Sequence, residues 1–221
     1  MVQNPRSVRS SHVALAPMRF PSVRPHPLAS LLAAIALLGG VLAQPSAGQT
    51  PDTLAPADSA VEADVPYVPT PQTTVDAMLE LANVSSDDVV YDLGSGDGRI
   101  PITAAQKYGA RGVGIEIKPD LVRRARKNAE MSGVSDKVTF RQQDIFETDF
   151  REATVLTMYL FPEVNMKLRP MLFEQLDPGT RVISHSFDMD AWEPDSTTRV
   201  NGDILYLWTI PEEIPAHLKD E

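Results

Sequence analysis

The stretch "YDLGSGDGRIPI", residues 91–102, joins a short apolar run to a series of glycines and then to a second apolar run. The apolar residues before the glycines ("DVVYDL") predict a buried strand. The spacing after them ("RIPITAAQKYGA") predicts a helix, whose first turn tolerates Pro101. A strand, a glycine turn and a helix in this order are typical of proteins that bind a ligand at the turn. The stretch therefore predicts an α/β fold and raises the question of which ligand the turn holds.

The rest of the chain from residue 65 continues the alternation of strands and helices. Helical spacing is found in residues 70–84, 118–133 and 162–179, the last predicted to bend or restart at Pro170, and strands are predicted in residues 112–117, 137–145, 153–161 and 180–187. Residues 197–210 read as a hairpin that turns at Asn201 and Gly202. This pattern predicts a doubly wound, Rossmann-like sheet of seven strands, mainly parallel with a C-terminal antiparallel hairpin.

The first 64 residues differ from the rest in composition. Residues 1–43 contain four arginines, no acidic residue and a run of about 16 apolar or small residues, 28–43, which predicts a signal peptide or, as the alternative, a membrane anchor. Residues 44–64 are rich in proline, alanine, serine and aspartate and predict a disordered linker. The remaining residues, 65–221, are predicted to form one domain.

Charge and cysteine content exclude several classes of function. The chain has no cysteine, which rules out disulfides, a thiolate nucleophile and cysteine-bound zinc. Without its first 43 residues it carries 16 basic and 30 acidic residues, a formal charge of −14. Such a charge repels nucleic acids, so no nucleic-acid partner is predicted. It is compatible either with simple solubility or with attraction of a basic acceptor.

The glycine turn fits a cationic ligand better than a phosphate. Its glycines stand at 94, 96 and 98, whereas a dinucleotide fingerprint needs glycine at 99, which is Arg99 here. Asp92 ends the first strand and Asp97 lies in the turn, and two carboxylates would repel a pyrophosphate. S-adenosylmethionine carries an ammonium and a sulfonium, so the turn predicts this cofactor.

Two further acids follow the next two strands. Glu116 ends the second strand, where a carboxylate often accepts both ribose hydroxyls of a nucleotide. Asp144 follows the third strand, where it can accept a hydrogen bond from an adenine amino group. No histidine or carboxylate cluster has the spacing of metal ligands, so no metal site is predicted.

These motifs resemble those of a known enzyme family. "DLGSGDGR", "GIEI" and "QQDIF" are similar to the cofactor motifs of class I, seven-stranded, S-adenosylmethionine-dependent methyltransferases over residues 65–210. "VPYVPT", residues 65–70, together with "WEP" after the fifth strand, resembles the lysine methyltransferases of the ATP synthase c-subunit and the adenine nucleotide carrier and their prokaryotic relatives. "PEV" followed by "RVISHSF" is also similar to Dot1-type histone lysine methyltransferases.

The resemblance implies roles for individual residues. Tyr67 and Thr70 would close over the methionine end of the cofactor, Glu116 would hold the ribose, and Asp144 with Ile145 would frame the adenine. The methionine end itself would be cradled by Asp92, Gly94, Ser95 and Gly96.

The end of the fourth strand, "MYLFP", would face the transferred methyl group. There Tyr159 is predicted to accept a hydrogen bond from an acceptor amine, and Trp192 with Leu160 and Phe161 to form an apolar channel that lowers the pKa of a lysine. His185 is expected to be a hydrogen-bonded strand-end histidine rather than a base.

The predicted activity is thus methyl transfer to a lysine amine of a protein. A small-molecule or lipid methyltransferase and a cofactor-binding module without catalysis stay open as alternatives. The arginines before the apolar segment predict an exported or membrane-anchored protein, or one close to a membrane. Because S-adenosylmethionine is made inside the cell, a cytoplasmic location stays open as well.

Overall fold

A computed structural model describes residues 66–218 of the chain, and the predicted leader and linker lie outside these residues. The described chain forms one seven-stranded sheet with helices between the strands. The helices are α1 (Gln72–Leu81), α2 (Arg99–Tyr108), α3 (Pro119–Met131) and α4 (Pro162–Gln175). The strands are β1 (Val89–Leu93), β2 (Arg111–Glu116), β3 (Val138–Gln142), β4 (Val155–Met158), β5 (Arg181–His185), β6 (Ser196–Val200) and β7 (Asp203–Thr209).

The strand order is β3-β2-β1-β4-β5-β7-β6. Strands β1 to β5 pair in parallel, while β7 runs antiparallel to both β5 and β6. The predicted fold class is therefore confirmed, including the closing hairpin at Asn201 and Gly202. Asn201 has a φ of 52° there, a conformation that suits the tight turn.

Alternating side chains of the strands face two separate apolar layers. Val90 of β1 packs with α1 and α2, whereas its neighbours Tyr91 and Leu93 face the layer that contains Leu168 and Leu172 of α4. Helix α1 buries Val75, Met78 and Leu79 and α3 buries Leu121, Val122, Ala125 and Ala129, at the positions that the helical spacing predicts. Helices on both faces of the sheet define the doubly wound arrangement.

Helix α4 runs continuously from Pro162 to Gln175 with Pro170 inside it, so of the two predicted alternatives the restart is not seen. Proline removes one backbone hydrogen bond of a helix, and here the burial of Leu168 and Leu172 on either side of it holds the helix against the sheet.

The topology fixes where a ligand binds. From β1 the chain moves outward through β2 to β3, then returns to the other side of β1 to form β4 and β5. The strand order thus reverses between β1 and β4, and a crevice opens beyond their carboxyl ends. Within residues 66–218 no helix has both the length and the apolar character needed to cross a lipid bilayer.

Candidate active site

An open crevice, whose empty space together with the solvent at its mouth is about 880 Å³, lies at the reversal point, beyond the carboxyl ends of β1 and β4. Every residue predicted to contact the cofactor lines it, and so does one of the two residues predicted to act on the acceptor. The predicted residues in its wall are Tyr67, Thr70, Asp92, Gly94, Ser95, Gly96, Glu116, Asp144, Ile145 and Tyr159. Side chains from distant parts of the sequence therefore meet in one place.

The glycine turn is tied to β2 through its backbone. The N–H groups of Gly94 and Ser95 both donate to the carbonyl oxygen of Ile115 at 2.9 Å, and the N–H of Gly96 donates to Oε2 of Glu116 at 2.9 Å. Gly96 has a φ of +54°, and a Cβ there would lie 2.4 Å from Cε2 of Tyr67. Glycine is therefore required at 96, both by its backbone conformation and by the ring that covers it.

Asp92 is a buried carboxyl in the floor of the cavity. Its Oδ1 accepts a hydrogen bond of 2.7 Å from the hydroxyl of Thr157 on β4. Burial raises its pKa to about 7; the Thr157 hydrogen bond opposes the shift, and the charges of Glu116 and Asp97 add to it. A cationic ligand beside Asp92 would offset both the cost of burying the carboxylate charge and the repulsion from the neighbouring carboxylates.

Glu116 and Asp144 stand at the carboxyl ends of β2 and β3. Besides Gly96, Glu116 accepts the N–H of Lys118 through Oε1 at 2.9 Å, so each carboxylate oxygen keeps a lone pair for a ligand hydroxyl. Asp144 accepts the N–H of Phe146 through Oδ1 at 2.9 Å and begins a short 3₁₀ turn, which places Ile145 in the cavity wall.

Residues 66–70 form a covering segment over the glycine turn, which is held by an arginine that was not among the predicted site residues. Arg99 donates to both carboxylate oxygens of Asp97, at 2.9 and 2.7 Å, and to the carbonyl oxygen of Thr70 at 2.7 Å. An arginine two residues after an aspartate of the turn was the available signal. Burial, followed by the charge of Asp97, raises the pKa of Tyr67, so its hydroxyl stays protonated.

Tyr159 lies in the cavity wall at the end of β4, next to Leu160. Its ring centroid is 3.9 Å from that of His185 and 6.2 Å from that of Phe187. Phe161 contacts Phe187 edge-on at 6.1 Å and is 40% exposed. An aromatic surface thus borders the cavity where an acceptor would approach.

His185 is buried at the end of β5. Its Nδ1 lies 3.3 Å from the hydroxyl oxygen of Thr70, and its Nε2 lies 3.2 Å from Oδ2 of Asp203 without hydrogen-bond alignment. Burial lowers the pKa of His185, and the carboxylate of Asp203 opposes this only in part.

The prediction for Trp192 does not match its position. Its indole lies in the apolar core, with ring centroids 4.5 Å from Phe173 and 5.6 Å from Trp208, and the described residues that line the cavity do not include it. Its carbonyl oxygen accepts a hydrogen bond of 2.7 Å from Nε1 of Trp208. Of the other residues predicted for the acceptor channel, Leu160 lines the cavity, while Phe161 lies outside its lining and is exposed at the surface.

The cavity suits a cationic nucleoside ligand. Ser95 Oγ is a buried polar group without a hydrogen-bond partner among the described residues, and the Tyr67 hydroxyl, which faces Asp97, makes no hydrogen bond of good geometry there, so both can bond to a ligand. A Cβ at position 94 would lie 3.0 Å from Cδ2 of Leu160, so the absence of a side chain keeps the turn open. No group of three histidine, cysteine, aspartate or glutamate side chains within residues 66–218 has the arrangement of a metal site.

Comparison with known proteins gives consistent results. The model of the ANTKMT methyltransferase domain matches residues 92–196. A protein-lysine N-methyltransferase of Saccharolobus islandicus is 47% identical over 67% of this chain and 95% of its own length. The Xenopus laevis lysine N-methyltransferase of the ATP synthase c-subunit is 35% identical over 81% of this chain and 77% of its own length.

A solved structure from Salinibacter ruber, described as an RNA methyltransferase, contains S-adenosylhomocysteine. It is 65% identical, covers 69% of this chain and all of its own, and superposes with a TM-score of 0.68. The cofactor of this chain is accordingly S-adenosylmethionine.

Proposed function

This chain belongs to the family of S-adenosylmethionine-dependent protein-lysine methyltransferases, and we propose that it methylates the side-chain amine of a lysine in a protein. The observation that carries the proposal is the cavity beyond β1 and β4, where an acidic cofactor wall meets an aromatic acceptor edge. The 47% identity to a protein-lysine N-methyltransferase, over nearly its whole length, supports the lysine acceptor.

The cofactor, when bound, supplies a methyl group already activated by positive sulfur. The chain therefore needs to bind, to align and to exclude water rather than to activate the methyl group. Asp92, with the backbone of the glycine turn, would hold the methionine end. Glu116 would accept the ribose hydroxyls, and Asp144 with Ile145 would hold the adenine.

An acceptor lysine must be neutral to attack, since an ammonium has no lone pair. Leu160 and Phe161 offer apolar surface that lowers the pKa of an entering amine by desolvation. The Tyr159 hydroxyl would then accept a hydrogen bond from the amine and orient its lone pair. His185 takes no proton in this scheme, because it lies beneath Tyr159 and outside the cavity wall.

The distribution of charge supports a basic acceptor. Residues 99–141, which form α2, β2, α3 and most of β3, contain ten basic and four acidic residues. Residues 142–218, which carry the acceptor edge and also include Asp144 and Ile145, contain five basic and fourteen acidic residues. A lysine-rich protein segment is attracted to that acidic half, whereas an RNA backbone is repelled by it, so the charge of this half favours a protein acceptor over RNA.

The proposal is tested by transfer of labelled methyl groups from S-adenosylmethionine. The full chain is incubated with extract from a strain that lacks the gene, and the products are divided into protein, RNA and organic-solvent fractions. We expect label in protein, recovered as methyl-lysine after acid hydrolysis. Label confined to RNA or to the organic fraction would overturn the lysine assignment.

A pair of glutamate variants controls for contaminating enzymes. Glu116→Ala removes the predicted ribose ligand and is expected to abolish labelling. Glu130→Ala changes an exposed glutamate of α3 and is expected to label like the wild type. Cofactor binding without transfer to any fraction would instead indicate a binding module.

We further propose that residues 1–43 direct export of the enzyme or anchor it to a membrane. The proposal is based on the arginines and the apolar run of that segment. Fractionation of cells that express the full chain, with N-terminal sequencing of the product, tests it. A cytoplasmic product that begins at its initiator methionine would contradict export.

A further inference from the structure

His185 supports two walls of the active-site cavity without belonging to either. It is 1% exposed and lies at the end of β5, behind the described residues that line the cavity. It contacts two residues of the cavity wall, Thr70 and Tyr159. Both of these neighbours line the cavity.

The first of these contacts is with the covering segment. Nδ1 of His185 lies 3.3 Å from Oγ1 of Thr70, the last residue of that segment. The carbonyl oxygen of Thr70 accepts the hydrogen bond from Arg99, which is bound in turn to Asp97 of the glycine turn. The position of Thr70 is thus fixed from the cofactor side by Arg99 and from the core side by His185.

The second of these contacts is with the acceptor edge. The imidazole packs against the Tyr159 ring, with centroids 3.9 Å apart and planes inclined by 33°. Tyr159 has no other described ring within 6 Å, since Phe187 lies at 6.2 Å. The imidazole is therefore the nearest ring to Tyr159 among the described residues, at the predicted acceptor end of the cavity.

We propose that His185 is a positioning residue that holds the covering segment and Tyr159 in one fixed relation, so that the bound cofactor and the acceptor amine meet in line. In-line transfer tolerates little misplacement, and a shift of about 1 Å can cost about 100-fold in rate. A single buried ring that contacts both walls restricts their relative movement. The expected effect on transfer rests on the proposed function, whereas the expected effect on cofactor binding does not.

The surroundings of His185 are compatible with a neutral imidazole that acts only through its contacts with Thr70 and Tyr159. The titratable groups that face it are Asp203 of β7 and Tyr159. Asp203 also accepts a hydrogen bond of 3.1 Å from Thr74 of α1 and is partly exposed, so it keeps a partner when the imidazole is replaced. Substitution of His185 therefore leaves no isolated buried charge.

Two substitutions separate the two contacts. His185→Phe keeps a ring beneath Tyr159 and loses the contact with Thr70. His185→Asn keeps a polar atom near the place of Nδ1 and loses the ring. We expect His185→Phe to weaken S-adenosylhomocysteine binding about tenfold with a smaller change in the rate at saturating cofactor. We expect His185→Asn to bind S-adenosylhomocysteine within about threefold of the wild type and to transfer about tenfold more slowly.

The measurements are titration calorimetry with S-adenosylhomocysteine and labelled transfer into the gene-deleted extract, each per folded molecule. Thr70→Val should reproduce the binding defect of His185→Phe, and the double variant should be no worse than either. His217→Asn, at an exposed histidine, is the control. Equal binding and rate in both variants, or defects that only follow lost stability, would overturn the proposal. Absence of transfer in the wild type would contradict the proposed function and leave the binding comparison decisive.

Discussion

The two halves of the sheet bind different ligands and are built from different kinds of residue. The cofactor half, β1 to β3 with α2 and α3, is built from glycines, backbone hydrogen bonds and carboxylates at strand ends. The acceptor half, β4 to β7 with α4, presents aromatic rings at the cavity and contains more acidic than basic residues. The first half binds one invariant small molecule, while the second has to admit a large partner.

This difference explains why side-chain size and hydrogen bonding are tightly constrained in one half and not in the other. In the cofactor half, Gly96 cannot bear a side chain, and both oxygens of Glu116 are engaged by backbone N–H groups. At the acceptor edge, Phe161 is 40% exposed and makes its contact with Phe187 from the surface. Substitutions in the first half should therefore affect cofactor binding strongly, and those in the second should affect transfer with cofactor binding intact.

The largest expected effect is in the cofactor half. Glu116→Ala removes the acceptor of two backbone N–H groups and the predicted ribose ligand. We expect S-adenosylhomocysteine to bind about 100-fold more weakly, a loss of about 2.7 kcal/mol. Calorimetry measures this against Glu130→Ala. Wild-type affinity in Glu116→Ala would place the ribose elsewhere.

Asp92 predicts a pH dependence of cofactor binding. Its pKa of about 7 means that the carboxyl becomes neutral as the pH falls below 7, so affinity for S-adenosylmethionine should decrease from pH 8 to pH 6. We expect Asp92→Asn to bind about tenfold more weakly at pH 8, with little dependence on pH. Calorimetry across this range is the measurement, with Asp87→Asn, at an exposed residue before β1, as control.

The same carboxyl affects stability in the opposite sense. Its folded pKa lies above its ordinary value of 3.8, so its contribution to folding is present below pH 4 and is lost as the pH rises to 7. The cofactor-free Asp92→Asn variant should accordingly have a higher Tm than the wild type at pH 8. A lower Tm at that pH would show that burial does not disfavour the carboxylate.

In the acceptor half, Tyr159→Phe tests the hydroxyl alone. Phenylalanine keeps the ring above His185, so S-adenosylhomocysteine should bind as in the wild type. The transfer rate should fall about tenfold, because the amine loses its predicted hydrogen-bond acceptor. Tyr108→Phe, at the end of α2, serves as control. An unchanged rate would assign Tyr159 to packing only.

The smallest effect is expected at the exposed edge. Phe161→Ser removes apolar surface from the acceptor side and should raise the KM for the protein acceptor about threefold, with cofactor affinity unchanged. Met131→Ser, at an exposed methionine at the end of α3, provides the comparison. If both variants behave like the wild type, the acceptor does not contact Phe161.

The positions of the cofactor-half residues were more predictable from the sequence than those of the acceptor half. Gly96, Asp92 and Glu116 are tied to a turn and two strand ends, and such constraints leave a local pattern in the sequence. Trp192 was misplaced because an apolar residue after a strand fits a core and a channel equally well. Arg99 was overlooked because its role depends on Thr70, 29 residues away, which no spacing rule connects to it.

The buried Asp92 also bears on how the enzyme completes a cycle. Methyl transfer removes the positive charge from sulfur and places it on the acceptor amine. When the methylated product leaves, the ligand that stays in the cavity is therefore less positive than S-adenosylmethionine. Burial and the neighbouring carboxylates of Glu116 and Asp97 already disfavour the charge of Asp92, so loss of the sulfonium removes part of what stabilises it. The carboxylate wall would thus hold the charged reactant more firmly than the spent one, and release would become easier at the step where turnover requires it.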